Sequence, residues 1–218
     1  RRKSWGQMVT PEAQLVRKDR IIERMAGQPA NYFMACHKSF WHTARYFKTT
    51  DEKFAIERPF PLSYAYLHRL HQRCEANRLN MFLKSRQMLM TWYFCARFLW
   101  KANFCFPGKV FRGAFLSENQ DKAAELIRRV RFMWERLPAH LRVDLRADNT
   151  YELEFANGAK IEAFPDTPDV TRTYSFTEIY STEAAFHEYA DQQWAAIWPT
   201  IDRGVGKFFC DSTPNGRG

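Results

Sequence analysis

No stretch of this sequence approaches the roughly 20 consecutive apolar residues of a membrane-spanning helix, and no charged start with an apolar centre marks a secretory leader. The chain is therefore expected to act away from membranes. Its five cysteines, Cys36, Cys74, Cys95, Cys105 and Cys210, form an odd set without a C-x-x-C pair. That argues against a disulfide framework and fits a reduced, intracellular protein. A His/Cys metal centre is not expected either: His68, His71 and Cys74 recur every third residue, but this spreads them over a broad helix face with no evident fourth ligand. Glycine is sparse, at 9 of 218 residues, and the P-loop pattern G-x-x-x-x-G-K-[ST] is absent.

What is present is a surplus of positive charge, +9 net, unevenly placed. Residues 1–60 carry 12 basic against 6 acidic side chains, residues 61–150 carry 16 against 7, and residues 151–218 carry 5 against 11. A basic body with a more acidic end suits a protein that handles a polyanion and also holds catalytic or metal-binding carboxylates; a solvated basic surface is the plainer alternative. The length fits one large domain, or one domain with a small appendage. The chain opens on Arg1 and stops at Gly218, directly after Pro214-Asn215-Gly216, and is expected to be a trimmed piece of a longer polypeptide.

Residues 1–60 are expected to form a helical arm or subdomain ahead of a core over 61–218. Thr10-Pro11-Glu12 opens a helix that Gly27 and Pro29 stop near Ala26. Asn31 to Phe47 is aromatic-rich and predicted helical, with His37 and His42 as packing residues, and Thr49 to Pro61 reads as a charged connection. Leu62, Tyr66, Leu67 and Leu70 mark one face of a helix that ends near Asn77. Leu79 to Leu83 then reads as a buried strand, Lys84 to Gln87 as a polar loop, and Met88 to Trp100 as an amphiphilic helix.

Beyond the Phe104-to-Gly108 turn, Val110 to Leu116 reads as a second strand ending at Ser117, and Asp121 to Leu137 as a helix closed by Pro138. This order argues for a parallel sheet with right-handed crossovers. Tyr151 to Phe155 and Ala159 to Phe164 flank Asn157-Gly158, the signal for a hairpin with a type I′ turn. Tyr174 to Tyr180 is a further strand, His187 to Trp198 a helix, and Lys207 to Asp211 a last short strand.

Ligands of open α/β sheets bind beyond the carboxyl ends of the strands. Three polar segments follow such ends: Lys84 to Thr91, Thr182-Glu183 and Ser212-Thr213. A strand, loop and helix N-terminus aim several backbone N–H groups at one spot, which suits a phosphate, and Lys84 and Arg86 add full charges. Thr91 can offer a hydroxyl to a phosphate-bound Mg²⁺. Glu183 beside such a loop could orient and deprotonate an attacking water. Taken singly, each has a plainer reading: a solvated βα junction, a helix N-terminal acid, a pair of turn or cap residues.

Taken together they carry a resemblance. KSRQMLMTW from Lys84, NTYELEFANGAKIEAF from Asn149, STEAAF from Ser181 and STPNG from Ser212, in this order and spacing, resemble the ATPase domain of a large terminase, the DNA-packaging motor of tailed bacteriophages. The likeness extends over roughly residues 55–218, and its specificity lies in the ordered set. It implies a P-loop NTPase-like α/β fold, a mainly parallel sheet flanked by helices with an inserted β-hairpin. It implies a deviant Walker A loop, Lys84, Ser85, Arg86, Gln87, Met88, Leu89, Met90 and Thr91, that binds ATP with Mg²⁺ on Thr91.

The same resemblance implies that Lys84 neutralises the β- and γ-phosphates and that Glu183 activates water, with Thr182 and Glu183 at the metal. Ser212, Thr213 and Pro214 would form a coupling motif, and Arg172 would reach a neighbouring subunit's γ-phosphate. It further implies double-stranded DNA, a ring of identical subunits on a portal protein, a small terminase subunit, action in the host cytoplasm during infection, and a nuclease domain beyond Gly218. Arg128, Arg129 and Arg131 are candidates for DNA phosphate contacts.

Two positions depart from the family. Leu89 stands where relatives usually have glycine, and Thr182 where they usually have the aspartate that holds the Mg²⁺ shell; weaker Mg²⁺ binding and slow turnover are expected. Glu178 is read as lying on the sheet rather than at the strand end, so not as a substitute. Two other readings stay open: a helicase-like nucleic-acid ATPase, and a nucleotide-binding but hydrolytically inactive assembly or DNA-docking module.

Overall fold

The computed structural model describes residues 29–51, 56–105, 110–167, 175–202 and 206–214. The helix expected over 10–26 lies outside them. Helices α1 (Pro29–Lys38) and α2 (Phe40–Ala44) break at Ser39, whose hydroxyl caps α2 by accepting from His42 N. The segment expected as a plain connection instead holds a short antiparallel hairpin, β1 (Lys48–Thr50) and β2 (Glu57–Pro59). Helix α3 (Ala65–Ala76) leads into β3 (Leu79–Leu83), and α4 (Met90–Asn103) follows the polar loop.

Next come β4 (Arg112–Ser117), α5 (Gln120–Glu135), β5 (Leu145–Asn149), β6 (Glu152–Phe155), β7 (Lys160–Pro165), β8 (Glu178–Ser181), α6 (Ala190–Asp202) and β9 (Lys207–Ser212). Seven strands form one sheet in the order β3-β9-β8-β4-β7-β6-β5. The first five run parallel, β6 runs against them beside β7, and β5 closes the far edge antiparallel to β6. No helix among the described residues is long and apolar enough to cross a membrane.

The central strands are apolar on both faces because both are covered. Phe115, Tyr180 and Phe209 point into the larger core under α3, α4 and α5, whereas Ala114, Leu116 and Ile179 point into a smaller core under Ile197 of α6. Helix α4 was expected to be amphiphilic, yet all its residues except Thr91 and Lys101 are buried. It lies between the sheet and the α2–α3 layer, and a helix in that position has no solvent face. Each large side chain buried there contributes about 1.5–3 kcal/mol. Strand β4 runs so close beneath it that a Cβ on Gly113 would meet Phe98 at 2.7 Å.

Strand β3 is not buried. It is the edge strand, with only β9 as a neighbour among the described residues; Phe82 packs under Phe94, but Met81 and Leu83 on the opposite face are 85% and 79% exposed. The hairpin forms as expected with a different turn. Gly158 (φ 87°) has the positive φ, Asn157 does not, and Phe155 N donates to Ala159 O. This is a three-residue loop with a glycine bulge rather than a type I′ turn, which would need positive φ at both central residues. Strand β5 was not foreseen.

Candidate active site

The carboxyl ends of β3, β9, β8 and β4 open into one crevice of about 1630 Å³. Lys84, Arg86, Gln87, Met88, Leu89, Met90 and Thr91 line it, together with Thr182, Glu183 and Thr213. Ser85, Ser212 and Pro214 stand outside the lining, and Arg172 lies outside the described residues. The crevice extends to the β1–β2 hairpin through Asp51 and Arg58, and to α5 through Lys122 and Arg129.

Backbone strain concentrates here. Among the described residues three non-glycine positions have positive φ, Gln87 (62°), Leu89 (53°) and Glu183 (53°), and all three line the crevice. Such conformations cost about 1–3 kcal/mol each and persist where the surroundings impose them, commonly at functional sites. Leu89 therefore adopts the conformation a glycine would take freely. It is also the N-cap of α4, offers no side-chain acceptor, and precedes a first turn without an acid. The first N–H groups of α4 are left to an anion from the crevice.

Four strand-end groups interlock opposite that helix end. Lys84 Nζ donates to Glu183 Oε1 at 2.5 Å, and the Thr213 N–H and hydroxyl donate to Glu183 Oε2 at 2.9 and 3.0 Å. Ser212 accepts from Lys84 N through its carbonyl and from Ala185 N through its hydroxyl. Burial pushes the Glu183 carboxyl up, but the bonds from Lys84 and Thr213 and the Lys84 charge outweigh it and hold the group below its usual range. Glu183 is thus an anion at neutral pH with both oxygens engaged.

Behind it, Asp211 is fully buried at the end of β9. Its Oδ1 accepts from Glu183 N at 3.1 Å, its Oδ2 accepts from the Tyr180 hydroxyl at 2.7 Å, and Lys84 Nζ lies 3.9 Å away. Burial raises the Asp211 carboxyl above its usual value, with Lys84 pulling the other way. Burial and the Asp211 charge push the Tyr180 phenol well above its own, so it stays a donor. Thr182 is buried, with its N–H on Leu116 O and its carbonyl held by His187. Ser117, ending β4, has a buried hydroxyl with no partner among the described residues.

The donor set decides what the crevice could hold. Its free and exchangeable groups are hydroxyl and carboxylate oxygens beside a lysine and open N–H groups, which fits a polyphosphate with a hard cation such as Mg²⁺. No group of three or more His, Cys, Asp and Glu among the described residues could hold a metal, so most of its shell would come from phosphate and water. Thr91, Thr182 and Glu183 line the crevice and fit, with Asp211 buried behind them.

Sequence reasoning passed over Asp211 and Tyr180. Asp211 carried a signal, an acid closing a strand that ends at the crevice; Tyr180 read as an ordinary core aromatic. Arg128 and Arg129 both pair with Glu125, Arg131 pairs with Asp148, and Arg129 also lies over the Trp92 ring on the crevice wall. Glu178 lies at the other end of β8, held by Arg97. His68 and His71 stack on Trp41 and Phe40.

No family model matches the sequence. Among solved structures, the ATPase domain of the Thermus phage P74-26 large terminase superposes with a TM-score of 0.53 at 21% identity, over 65% of this chain and 61% of that one. An arginine-to-alanine variant of that domain gives 0.54 at 18% identity, over 70% and 65%. The HK97 bacteriophage large terminase gives 0.62 at 12% identity, over 81% and 37%. The chain thus spans less than two thirds of each of these proteins. At such identities the likeness is one of fold, and the fold of this chain is that of a phage large-terminase ATPase domain.

Proposed function

We propose that the chain is the ATP-hydrolysing part of a phage large terminase, which turns over ATP to drive double-stranded DNA into a procapsid. The observation that supports this most is the meeting of Lys84, Glu183 and Thr213 opposite the open N-terminus of α4. When ATP enters, Lys84 leaves Glu183 for the β- and γ-phosphates, and the N–H groups after Leu89 take the remaining phosphate oxygens. The freed Oε1 of Glu183 then accepts a proton from the attacking water, while Thr213 holds Oε2 and so keeps the carboxylate aimed. Thr91 and Thr182 would hold Mg²⁺, which would offset phosphate charge when bound.

Thr213 follows β9 directly, so a change at Glu183 is passed to the 212–214 segment, the proposed coupling element. Arg172 acts on the γ-phosphate of a neighbouring subunit in a ring, a contribution of about 10³–10⁵ in rate where such an arginine operates. In this reading the ring sits on a portal protein in the host cytoplasm, a small terminase subunit presents the DNA, and cleavage belongs to a separate nuclease domain.

The test is phosphate release from ATP with Mg²⁺, with and without duplex DNA, for the parent chain, Lys84→Ala and Glu183→Gln. Turnover by the parent alone is the expected result. Nucleotide binding without turnover under any condition would instead favour the inactive module, and strand separation driven by ATP would favour the helicase-like enzyme.

A further inference from the structure

The metal side of the crevice lacks a charge at the position where it would be expected. Thr182 supplies a hydroxyl, which can only hydrogen-bond to a metal-bound water, whereas a carboxylate would add a full negative charge. Neither glutamate of β8 and its loop compensates. Glu183 has its Oε2 held by Thr213 and its Oε1 given to the attacking water, and Glu178 is held by Arg97 at the opposite end of the strand.

The neighbouring strand does bring a carboxylate to this level. β8 and β9 pair in parallel with Tyr180 opposite Phe209 and Ser181 opposite Cys210, so the next position sets Thr182 beside Asp211. Partners in a parallel ladder share a face, and one strand spacing is about 4.8 Å. Both residues lie on the α4 side of the sheet with Tyr180, and the phenol ties them together. Tyr180 donates to Asp211 at 2.7 Å, and the side chains of Thr91 and Thr182 lie close to the same phenol.

Side chains that share a face at one level of adjacent strands, and those packed on them, lie within about 7 Å of one another. That matches the reach of a Mg²⁺ ion at about 2.1 Å from its inner oxygens plus one hydrogen-bonded water. The side chain of Asp211 is fully buried, accepts from the Glu183 N–H and the phenol, and has its nearest cation, Lys84, at 3.9 Å. A buried carboxylate that has no cation in direct contact is costly, and a metal shell beside it would offset that cost.

We propose that Asp211, oriented by Tyr180, supplies the anionic oxygen that residue 182 lacks and holds the water shell of the divalent cation beside Thr91. The inference rests on the nucleotide-hydrolase reading above. Its test is a Mn²⁺ titration followed by electron paramagnetic resonance, on the whole 218-residue chain with β,γ-imido-ATP, beside the affinity for the same nucleotide in EDTA.

Asp211→Asn should weaken Mn²⁺ about 10–100-fold, the usual effect of losing an outer-sphere partner, and change the metal-free nucleotide affinity by a clearly smaller factor. Thr182→Asp in the parent should gain less than about 3-fold, because a second carboxylate beside Asp211 meets a like charge. The same substitution added to Asp211→Asn should restore the lost affinity. Undiminished Mn²⁺ affinity in Asp211→Asn overturns the proposal. So does a gain of about 10-fold or more from Thr182→Asp alone, a result that does not depend on Asp211→Asn folding. A parent that binds no nucleotide in either condition overturns the hydrolase reading, and this proposal with it.

Discussion

Two ion pairs tie the phosphate loop and its helix to β8, one at each end of the strand, and they are built differently. At the crevice, Lys84 makes one hydrogen bond, to a Glu183 side chain that is 28% exposed, with Asp211 3.9 Å away. At the other end, Arg97 is sealed from solvent and grips Glu178 through two parallel bonds of 2.8 and 2.7 Å, with a third bond to Glu75 and its guanidinium over Phe209. A planar fork on a carboxylate with its donors satisfied has no better partner to move to. A lysine held by one hydrogen bond to a partly exposed carboxylate exchanges it readily for a phosphate. One end of β8 is therefore anchored so that the other can change partners.

The same substitution at the two ends should separate these roles. Glu183→Gln is expected to lower turnover about 10²–10⁴-fold, since the general base is lost, while global stability falls by less than about 1 kcal/mol. Phosphate release and urea unfolding of one preparation read both. Glu178→Gln should do the reverse, costing about 3–5 kcal/mol because Arg97 is left charged and sealed without its main counter-ion. Arg97→Met combined with Glu178→Leu should recover most of that loss, as buried pairs replaced by apolar groups often do. Equal stability losses at 178 and 183 would contradict the comparison.

Acid should affect the anchored end first. His71, stacked on Phe40 beside Tyr93, is pushed down to about 3, chiefly by burial and then by the Arg97 charge. The unfolded chain takes up that proton near pH 6.5 and the folded chain does not. Stability is thus complete above about pH 6.5 and falls as pH drops towards about 3, by no more than about 1.4 kcal/mol per pH unit. Glu183, also lowered, keeps its small contribution until pH falls below its usual value of 4.5. Urea midpoints at pH 7.5 and 5 should differ in the parent and converge in His71→Phe.

The smallest effect concerns the loop itself. Gln87 is exposed at φ 62°, and Gln87→Gly should raise stability by about 0.5–1 kcal/mol, the left-handed strain relieved exceeding the entropy that glycine adds to the unfolded chain. A calorimetric melting temperature that falls would show that the loop is not strained at this position.

Local patterns made some of this legible in the sequence. In α5 the apolar positions Ala123, Leu126, Ile127, Val130 and Met133 recur at helical spacing and are buried, and Asn119 caps the helix by accepting from Lys122 N. The strand-end segments were readable because polar residues follow apolar runs, and the crevice does bring Lys84, Thr182, Glu183 and Thr213 together. What failed depends on the third dimension. Leu79, Met81 and Leu83 are as apolar as buried strand residues, and only the strand order shows that β3 is an edge. The Arg97–Glu178 pair spans 81 residues, a separation no local pattern encodes. Positive φ at Leu89 and Glu183 could not be read, because neither residue type favours it.

The edge position of β3 also has a mechanical consequence. Among the described strands it is hydrogen-bonded to β9 alone, through the five register pairs from Leu79–Phe208 to Leu83–Ser212. The phosphate loop and the 212–214 segment are therefore joined in series by one short ladder. A pull on the far side of β9 reaches Lys84 directly, and the other five strands carry little of the load.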